Sequence, residues 1–518
     1  MTVLRKQVPL ALYILVGAFA ARALAMAVLP LTDSTEGRYA QVAQEMTLTG
    51  DWVTPRVWMY GENLPFMGKP PLYFWLSAAA MKLCGVNAFA ARLPSLLAAL
   101  AFLWLLHRVM ERYGGKGSGL LSVMVTASCG FFFAVSGVVA IDVLLSACVA
   151  GSLLAYFAFT CEPSRAIRKR WSLLVFALLA LGFMTKGPVA VALFGLPVLL
   201  WTIRWRQWGL LKDHCWIGGV PLFLLVAAPW FALCEQRNPG FLKYFFLNEN
   251  LLRFVRHDYG DAYGNGHLYP RGSALWMFAA AAAPWSLFAL VWRVRERWAL
   301  RTAAQADKRD SFLFLGFAAG VLFWCLARQL LITYTLPLVP LFAAWFVRKA
   351  QNAPAVYRRV LGAALVLLSL QGCLSIAVVP FLQNTCSTRH VVRHAQRYAE
   401  EHAFKGPLLF AGKTPYSALF YARGWVMPHP KEPLAITLST CRKTAGAVLL
   451  IVDRHHASSV LAGLPVQSVE RLAMLGDWEL ARVTLPVPGA PSPQLPRVSQ
   501  TVSRASLEHR LVVVGQSR

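Results

Sequence analysis

Two lysines lie between turn-forming residues, where a rigid backbone would hold a single ammonium group in place. Lys69 is found in Gly68-Lys69-Pro70-Pro71, and Lys186 in Thr185-Lys186-Gly187-Pro188. Glycine and proline favour tight turns, so the side chain carried by such a turn has a restricted position. An ammonium is a compact charge that suits a phosphate. The two segments therefore predict an anion-binding site.

A charged cluster introduces an amphipathic helix near the N-terminus. Asp33, Glu36 and Arg38 fall within six residues, and the apolar residues that follow recur at the spacing of one helical face. That face consists of Tyr39, Val42, Ala43 and Met46. Asp33 and Glu36 have the spacing of an N-cap and its capping-box partner. Alternatively, both carboxylates and Arg38 form a polar cluster at the lipid interface that handles a phosphosugar or supplies a base. The two interpretations are compatible, because capping would fix the geometry.

Two further residues stand out by their position in the chain. Asp142 lies in a very short turn between two apolar runs. A carboxylate at that depth is costly unless it is paired or functional, and a salt bridge and a role in a reaction are equal alternatives. His267 lies at the end of a polar stretch, just before another apolar run. A single histidine is more often structural than catalytic, so His267 is a weak candidate.

The composition excludes a wholly soluble protein. Hydrophobic residues make up 57% of the chain and charged residues 14%, with a mean hydropathy of +0.50, whereas soluble domains have roughly 25% charged residues. The net charge of +27 comes from 51 Lys and Arg against 24 Asp and Glu. Because these cations lie between apolar runs, they indicate cytoplasmic loops and anionic lipids and not nucleic acid.

The apolar runs predict an α-helical polytopic membrane protein. About 11 to 13 runs are long enough for transmembrane helices, the first at residues 9–31 and the last at residues 360–381. We expect a membrane domain at residues 1–382 with an amphipathic first outer loop at residues 32–87. A small α/β domain should follow at residues 383–485, where an apolar run predicts a buried strand at residues 447–452 and a second strand is predicted at residues 478–485. Residues 486–518 have the composition of a disordered tail.

Basic segments orient the predicted spans, since short loops rich in Lys and Arg stay in the cytoplasm. They place the N-terminus in the cytoplasm and the C-terminal domain in the periplasm of a Gram-negative cell, with the protein in the inner membrane. Some cations then lie outside, against this trend, and call for an anionic partner such as phosphate. Lipid headgroups would account for any single one more easily than for the set. The set is Arg38, Arg56, Lys69, Lys186, Arg237, Lys243, Arg253, Arg256, Arg271 and Arg328.

Several enzyme motifs are absent from the sequence. It contains no Walker A motif, no GxGxxG, no HExxH and no DxD carboxylate pair. Its ten cysteines include no CxxC pair, which excludes a zinc ribbon. A sugar transferred by this protein would therefore come from a donor other than a nucleotide sugar. A disulfide between Cys386 and Cys441 is permitted by an oxidising compartment.

The chain resembles the polyprenyl-phosphate-dependent glycosyltransferases of the GT-C superfamily. It is most similar to the aminoarabinose transferases that modify lipid A, and to the related dolichyl-phosphate-mannose protein mannosyltransferases. The match covers about residues 9–345. The segments that carry it are Thr35-Glu36-Gly37-Arg38-Tyr39-Ala40, Thr49-Gly50-Asp51-Trp52-Val53-Thr54-Pro55, Gly68-Lys69-Pro70-Pro71-Leu72-Tyr73-Phe74-Trp75, Ala91-Arg92-Leu93-Pro94-Ser95, Asp142, Leu181-Gly182-Phe183-Met184-Thr185-Lys186-Gly187-Pro188, Pro229-Trp230, residues 237–246 with Arg253-Phe254, and Tyr334-Thr335-Leu336-Pro337.

The resemblance implies an outward-facing cavity in which a sugar leaves a polyprenyl phosphate, with inversion at the anomeric carbon. It places the donor phosphate against Lys69, Arg253, Tyr334, Arg38 and Lys186. It implies that the catalytic carboxylates are among Asp33, Glu36 and Asp142, on the sugar or acceptor side. Weaker substrate-binding candidates are Tyr39, Arg256, His267 and Arg328. Whether a divalent metal binds in the site stays open.

Two positions differ from the usual aminoarabinose transferase pattern. Thr35 stands where these enzymes have Asp, and Gly68 where they have Glu before Lys-Pro. The donor sugar, the acceptor and the identity of any base are therefore open. A lipid A phosphate is already anionic and attacks without a base. A serine or threonine acceptor would need Asp33 or Glu36 to take its proton.

We therefore predict an inner-membrane glycosyltransferase. It would transfer a sugar, such as 4-amino-4-deoxy-L-arabinose, from undecaprenyl phosphate to lipid A phosphate or a related envelope lipid. A protein O-glycosyltransferase with the same kind of donor is the alternative enzyme. A transporter would place its unusual polar residues near the bilayer midplane, often within inverted repeats. A non-catalytic protein that only binds anionic membrane lipids would not need the carboxylates near Arg38.

Overall fold

The computed structural model describes residues 2–59, 61–256, 263, 267–299, 307–351, 353–382, 387–428, 433–442, 445–464 and 466–486. The chain divides into two compact units, one formed by Met1–Val392 with Pro415–Gly424 and the other by Arg393–Thr414 with Trp425–Arg518. Nothing in the sequence predicts that Pro415–Gly424 returns to the first unit. Cys386 and the predicted tail beyond residue 486 lie outside the described residues. Whether Cys386 and Cys441 form a disulfide therefore stays open, and the tail stays a prediction.

The first unit is built almost entirely from helices. Met110–Gly114 and Tyr244–Leu252 are π-helices, and Ile332–Leu338 is a 3-10 helix. The α-helices are α1 (Thr2–Val28), α2 (Thr35–Thr49), α3 (Leu72–Cys84), α4 (Ala88–Val109), α5 (Ser118–Ser128), α6 (Gly130–Val135), α7 (Ile141–Cys161), α8 (Arg165–Lys186), α9 (Pro188–Trp205), α10 (Trp208–Lys212), α11 (Trp216–Arg237), α12 (Phe241–Lys243), α13 (Arg253–Val255), α14 (Ala274–Ala281), α15 (Trp285–Ala299), α16 (Lys308–Leu326), α17 (Val339–Ala350), α18 (Pro354–Ala377), α19 (Val379–Leu382) and α21 (Tyr416–Ala422), with α20 (Arg389–Glu401) running from the first unit into the second.

Seven helices among the described residues are long and apolar enough to cross a membrane. An eighth span results if α14 and α15, which meet at an angle of 101°, are counted as one. The predicted run at residues 120–139 is divided into α5 and α6, and that at residues 331–346 into a 3-10 helix and α17. α8 has 22 residues, about 33 Å of helix, which is long enough to cross a membrane. Its first six residues include four cations, so its first turns are polar and it is not among the seven. The protein is a multi-span membrane protein, and the predicted 11 to 13 spans stay a prediction.

Two carboxylates mark the opposite ends of α7. α7 spans about 30 Å, with Asp142 in its first turn and Glu162 just after its last residue. At the Glu162 end, Arg112 bonds Glu162 at 2.8 Å, and Arg348 donates to the carbonyl oxygen of Gly114 at 2.7 Å. Basic segments predicted to be cytoplasmic therefore meet at one end, and Asp142 lies at the other.

The amphipathic helix predicted after Asp33 is confirmed as α2. Its apolar face is buried, but it packs on protein and does not lie on the membrane as expected. The hairpin of β1 (Arg56–Met59) and β2 (Glu62–Pro65), together with α3 and α21, supplies the residues that cover it. The segment predicted as the first outer loop thus contributes a packed layer to the first unit.

The second unit contains the predicted small sheet. Its strands are β3 (Leu408–Phe410), β4 (Ala447–Asp453), β5 (Ser468–Leu475) and β6 (Trp478–Thr484), in the order β3-β4-β6-β5. β3 and β4 are parallel, whereas β6 is antiparallel to β4 and β5. Two helices, α22 (Leu434–Cys441) and α23 (Ala457–Ala462), contribute residues to the same hydrophobic core as the sheet. The two strands predicted from the sequence, β4 and β6, are confirmed.

Candidate active site

A cavity of about 310 Å³ lies in the first unit. Two π-helical turns around Glu249, the junction of α8 and α9, and the turn at Lys69 form its walls. The polar residues that line it are Lys69, Lys186, Glu249, Asn250, Arg253, Gln329 and Tyr334. Its apolar residues include Phe245, Phe246, Phe254, Phe323 and Trp324. Four of the five residues predicted to bind the donor phosphate therefore share one cavity.

The junction of α8 and α9 fixes Lys186 at the cavity wall. Lys186 is the last residue of α8, and Gly187 follows with φ +75°, a conformation that favours glycine. A Cβ at Gly187 would also lie 2.5 Å from the Phe245 ring. Pro188 then starts α9, where its fixed φ suits a first helical position. The predicted turn is thus a tight helix–helix junction.

Lys69 and Arg253 are both bonded to one carboxylate. Lys69 Nζ donates to Glu249 Oε1, and Arg253 Nη1 donates to the same oxygen at 2.7 Å. Arg253 Nε also donates to Gln329 Oε1 at 2.9 Å. Glu249 precedes Arg253 by four residues, so the two side chains meet on one face of the helix. The (i, i+4) spacing could have identified Glu249 from the sequence, whereas Gln329 has no local signal.

Asp142 and Lys186 form a second ion pair beside the cavity. Lys186 Nζ donates to Asp142 Oδ1 at 2.5 Å, and it also lies 3.6 Å from the centroid of the Tyr334 ring. Both side chains are largely buried: that of Lys186 is 11% exposed and that of Asp142 is 14% exposed. The salt bridge considered for Asp142 is confirmed, and it places the carboxylate next to a cation that lines the cavity. Its role in a reaction stays a prediction.

Glu36 lies in a buried ion pair away from the cavity lining. Its Oε1 accepts from Arg92 Nε at 2.8 Å and from the Val139 N–H at 2.9 Å. Its Oε2 accepts from Arg92 Nη2 at 3.0 Å and from the N–H and hydroxyl of Thr32 at 2.8 and 3.0 Å. Five hydrogen bonds leave this carboxylate little capacity for a proton. The Glu36–Arg92 pair therefore joins α2 to α4, and the predicted role of Glu36 as a base stays a prediction.

Asp33 is not the N-cap of α2, because that position belongs to Ser34, which makes no side-chain capping bond. The capping-box interpretation is thus wrong. Asp33 instead accepts hydrogen bonds from the backbone N–H and the hydroxyl of Ser417, in α21. A Cβ on Gly37 would lie 3.0 Å from the Ser417 nitrogen, so glycine permits this close approach. The Asp33 side chain itself is exposed.

Arg38 lies among aromatic rings and not in the cavity lining. Its guanidinium carbon lies 5.4 Å from the centroid of Tyr39, 5.8 Å from that of Phe66 and 6.0 Å from that of Tyr416. Arg38 Nη1 donates to the Tyr263 carbonyl oxygen at 3.0 Å. The expected contact of Arg38 with the donor phosphate is therefore not supported by its position.

The weaker candidates also lie outside the cavity lining. Tyr39 is 8% exposed and belongs to the core beneath α2. Arg256 and His267 are exposed. Arg328 is half-buried, and its carbonyl oxygen accepts from the Tyr269 N–H at 3.2 Å. In the part of the chain that the structure describes, no group of three His, Cys, Asp or Glu side chains could hold a metal ion.

The chain is similar in sequence to known glycosyltransferases. Residues 68–232 match the family model of dolichyl-phosphate-mannose-protein mannosyltransferase. The undecaprenyl phosphate-alpha-4-amino-4-deoxy-L-arabinose arabinosyl transferase of Pseudomonas paraeruginosa is 31% identical over 363 residues, which cover 67% of this chain and 61% of that protein. The protein of the same name from Pseudomonas aeruginosa PAO1 is 32% identical, covering 59% of this chain and 53% of its own length. The matches thus span between half and two thirds of these relatives.

The fold is shared over a longer part of the chain. Crystal structures of ArnT from Cupriavidus metallidurans, bound to undecaprenyl phosphate and in the apo state, have TM-scores of 0.72 and 0.71. They cover 91% and 92% of this chain, and 97% and 98% of their own, at 18% and 19% identity. In sequence over its membrane part, and in fold over most of its length, the chain therefore resembles the GT-C aminoarabinose transferases, as its motifs predict.

Proposed function

We propose that this protein is a membrane glycosyltransferase that moves a sugar from a polyprenyl phosphate to a phosphate of lipid A or a related envelope lipid. The observation that carries the proposal is the cavity shared by Lys69, Lys186, Arg253 and Tyr334. Three cations line one small space, and although Glu249 and Asp142 pair with them, each has further N–H donors that suit an anionic ligand. The similarity to arabinosyl transferases supports undecaprenyl phosphate as the carrier and an amino sugar as the transferred group.

The lining of the cavity suits a phosphate attached to an apolar chain. Lys69 and Arg253 can turn from their shared carboxylate toward a phosphate, since each has further N–H donors. Phe245, Phe246 and Phe254 offer apolar surface to the first isoprene units. A nucleotide sugar would instead need polar contacts for its base.

The proposed transfer is a displacement at the anomeric carbon. An acceptor oxygen forms a bond to this carbon while the bond to the carrier phosphate oxygen breaks, and the phosphate leaves with the electron pair. Negative charge therefore grows on the leaving phosphate, and Lys69 and Arg253 stabilise it in a site with little water. Attack from the opposite face gives inversion.

The acceptor decides whether a base is needed. A lipid A phosphate is already ionised and attacks without losing a proton. A protein hydroxyl must lose one, and we favour Asp33 and Asp142 over Glu36, whose oxygens accept five hydrogen bonds. The match of residues 68–232 to protein mannosyltransferases supports this second acceptor. Transfer to protein is therefore the alternative within the same reaction.

The topology fits an outward-facing site in the bacterial inner membrane. The basic segments at the Glu162 end of the bundle favour a cytoplasmic location for that end, with the N-terminus on the same side. The end of α7 that carries Asp142, with its partner Lys186, would then face the periplasm, and the cavity would open there. We propose the same side for the C-terminal α/β domain at residues 383–485, after a membrane domain at residues 1–382.

The proposal is tested by mass spectrometry of lipid A from cells with and without the protein. Intact protein should add a sugar-sized mass to lipid A, and Lys69→Ala should reduce the addition at least about a hundredfold, as the loss of a transition-state donor does. Lys212→Ala removes an exposed cation of α10 and should leave the addition unchanged. Expression of each variant is checked by immunoblot. Unmodified lipid A with all three proteins would exclude this acceptor, and glycosylation of envelope proteins would then support the alternative.

A further inference from the structure

The ammonium group of Lys69 is held by the backbone of its own turn. Lys69 Nζ donates to the Gly68 carbonyl oxygen at 2.7 Å, so the lysine side chain folds back over the residue that precedes it. Both residues line the cavity assigned to the donor phosphate. The position of the ammonium group in the cavity therefore depends on the Gly68 carbonyl, and thus on the backbone that leads into the turn.

The hydroxyl of Tyr263 holds that backbone. Tyr263 Oη accepts from the Met67 N–H at 2.7 Å and donates to the Pro65 carbonyl oxygen at 2.8 Å. A hydroxyl can accept and donate at the same time. This single atom therefore bonds to the peptide groups on both sides of Phe66, directly ahead of Gly68.

The ring of Tyr263 packs on the same segment. Its centroid lies 4.6 Å from that of Phe66, and its edge would lie 3.3 Å from a Cβ on Gly68. Its centroid also lies 6.2 Å from that of Tyr244, the first residue of the π-helix that forms another part of the cavity wall. Tyr263 itself is half-buried and is not among the described residues that line the cavity. It thus contacts two segments of the wall without facing the ligand.

Arg38 in α2 bonds to the backbone of Tyr263. Arg38 Nη1 donates to the Tyr263 carbonyl oxygen at 3.0 Å, and its guanidinium carbon lies 5.8 Å from the centroid of the Phe66 ring. Arg38 does not line the cavity, but printed contacts lead from it through Tyr263 and Gly68 to Lys69. Such a chain of packed and bonded groups can transmit a change at one residue to another.

Resting on the proposed function, we propose that Tyr263 is a positioning residue for Lys69 and that Arg38 acts through Tyr263. The tyrosine hydroxyl keeps the segment ahead of Gly68 in the conformation that places the ammonium group against the donor phosphate. Without it, the Met67 N–H and the Pro65 carbonyl lose a partner, and the segment gains alternative conformations. Binding of the donor must then pay the entropy of ordering the turn.

The experiment measures binding of farnesyl phosphate, a soluble polyprenyl phosphate, to the full chain purified in detergent. Tyr263→Phe removes the hydroxyl and keeps the ring, and it should weaken binding about tenfold because two hydrogen bonds that order the turn are lost. Tyr357→Phe is the matched control. Its hydroxyl donates to the Gly117 carbonyl oxygen at 3.0 Å, and neither residue lines the cavity. This control should bind the probe like the wild type.

A double-mutant cycle tests whether the effect passes through Lys69. If Tyr263 acts by placing this ammonium group, Tyr263→Phe should weaken binding by less than about twofold in a Lys69→Ala background. In a Lys186→Ala background the full loss should remain, since Lys186 is carried by the junction of α8 and α9. A purely structural role of Tyr263 would give the same loss in both backgrounds.

Arg38→Met provides a second, independent variant. Methionine keeps apolar volume among the aromatic rings and removes the hydrogen bond to the Tyr263 carbonyl oxygen. It should weaken binding about threefold, and this loss too should disappear in a Lys69→Ala background. A loss that persists there would overturn the role of Arg38, because it would mean that Arg38 contacts the phosphate directly.

The outcomes separate this inference from the proposed function. Wild-type protein that does not bind the probe would contradict the donor-phosphate site itself. Wild-type binding that Tyr263→Phe leaves unchanged would overturn the positioning role and leave the site intact, and so would equal losses in the Lys69→Ala and Lys186→Ala backgrounds. Unfolding in SDS checks the fold of each variant, and Arg38→Met carries the same cycle if Tyr263→Phe does not fold.

Discussion

Glu36 and Glu249 are both buried carboxylates bonded to cations, and they differ in how fully their oxygens are used. Glu36 accepts five hydrogen bonds spread over both oxygens. Within the described residues, Glu249 accepts from two cations at one oxygen and from no group at the other. Their side chains are similarly hidden, at 6% and 4% exposed. Burial alone therefore does not distinguish a structural carboxylate from one in a binding site.

The difference follows from the groups that surround each carboxylate. Arg92 also donates to three carbonyl oxygens at the end of α1, those of Met26, Leu29 and Pro30. The Glu36–Arg92 pair thus joins α1, α2 and α4 and leaves no room for a ligand. The Lys69–Glu249–Arg253 cluster faces a cavity and has unused capacity. A saturated network holds a fold, and an incomplete one can bind.

The largest expected effect comes from breaking the saturated pair. Arg92→Leu leaves the Glu36 charge buried without its partner, which should lower the free energy of unfolding by about 3–5 kcal/mol. The measurement is reversible unfolding by SDS in mixed micelles. A loss below 1 kcal/mol would remove the distinction between the two carboxylates.

The double variant Glu36→Leu/Arg92→Leu sharpens the same point. Replacing both ions by apolar residues often restores stability. Here the Thr32 and Val139 N–H groups and three carbonyl oxygens would lose their partners. We therefore expect the double variant to remain destabilised by about 2 kcal/mol or more. Full recovery would show that the ion pair matters only for its charges.

Acid should weaken the hydrogen-bond network of Glu36 over a defined pH range. Burial raises the pKa of the Glu36 carboxyl and Arg92 lowers it, and the net direction is below the ordinary value of 4.5. The folded state thus binds this proton more weakly than the unfolded state. The stabilisation is complete above pH 4.5 and is lost as the pH falls through the folded pKa. The stability advantage over Glu36→Gln, about 2 kcal/mol, should be equal at pH 7 and pH 5.5 and shrink below pH 4.5. An advantage that is constant down to pH 3.5 would contradict this.

Much of the cavity was predictable because its residues carry local signals. Lys69 and Lys186 lie beside glycine and proline, and Arg253 and Tyr334 lie in segments that resemble a known family. Apolar runs likewise predict a helical membrane protein. Broken helices such as α5 and α6 were harder to predict, because a run of apolar residues does not show where the backbone turns.

The other errors arose from partners distant in sequence. Glu36 resembled a capping residue because Arg92, which is 56 positions away, has no local link to it. Asp33 meets Ser417, which is 384 positions away, because Pro415–Gly424 returns to the first unit. Tertiary contacts of this kind cannot be read from spacing along one chain.

Ser417→Ala tests whether Asp33 belongs with the saturated group or with the cavity. The change removes the hydroxyl bond to Asp33 and keeps the backbone N–H bond. We expect about 1 kcal/mol lower stability in SDS unfolding. If Asp33 acts on the acceptor, glycosylation should fall further than this loss explains. Ser439→Ala, an exposed serine in α22, serves as the control. Unchanged glycosylation would assign Asp33 to structure alone.

The smallest effect on stability is expected at an ion pair that is accessible to solvent. Arg237 bonds Asp51 at 3.1 Å, but the two side chains are 55% and 26% exposed. Water already solvates both charges, so Arg237→Leu should change the free energy of unfolding by at most about 1 kcal/mol. SDS unfolding measured beside Arg92→Leu gives the direct comparison. A loss as large as that of Arg92→Leu would mean that pairing, and not the saturation of buried oxygens, sets the cost. The contrast between Glu36 and Glu249 would then no longer explain which carboxylates hold the fold.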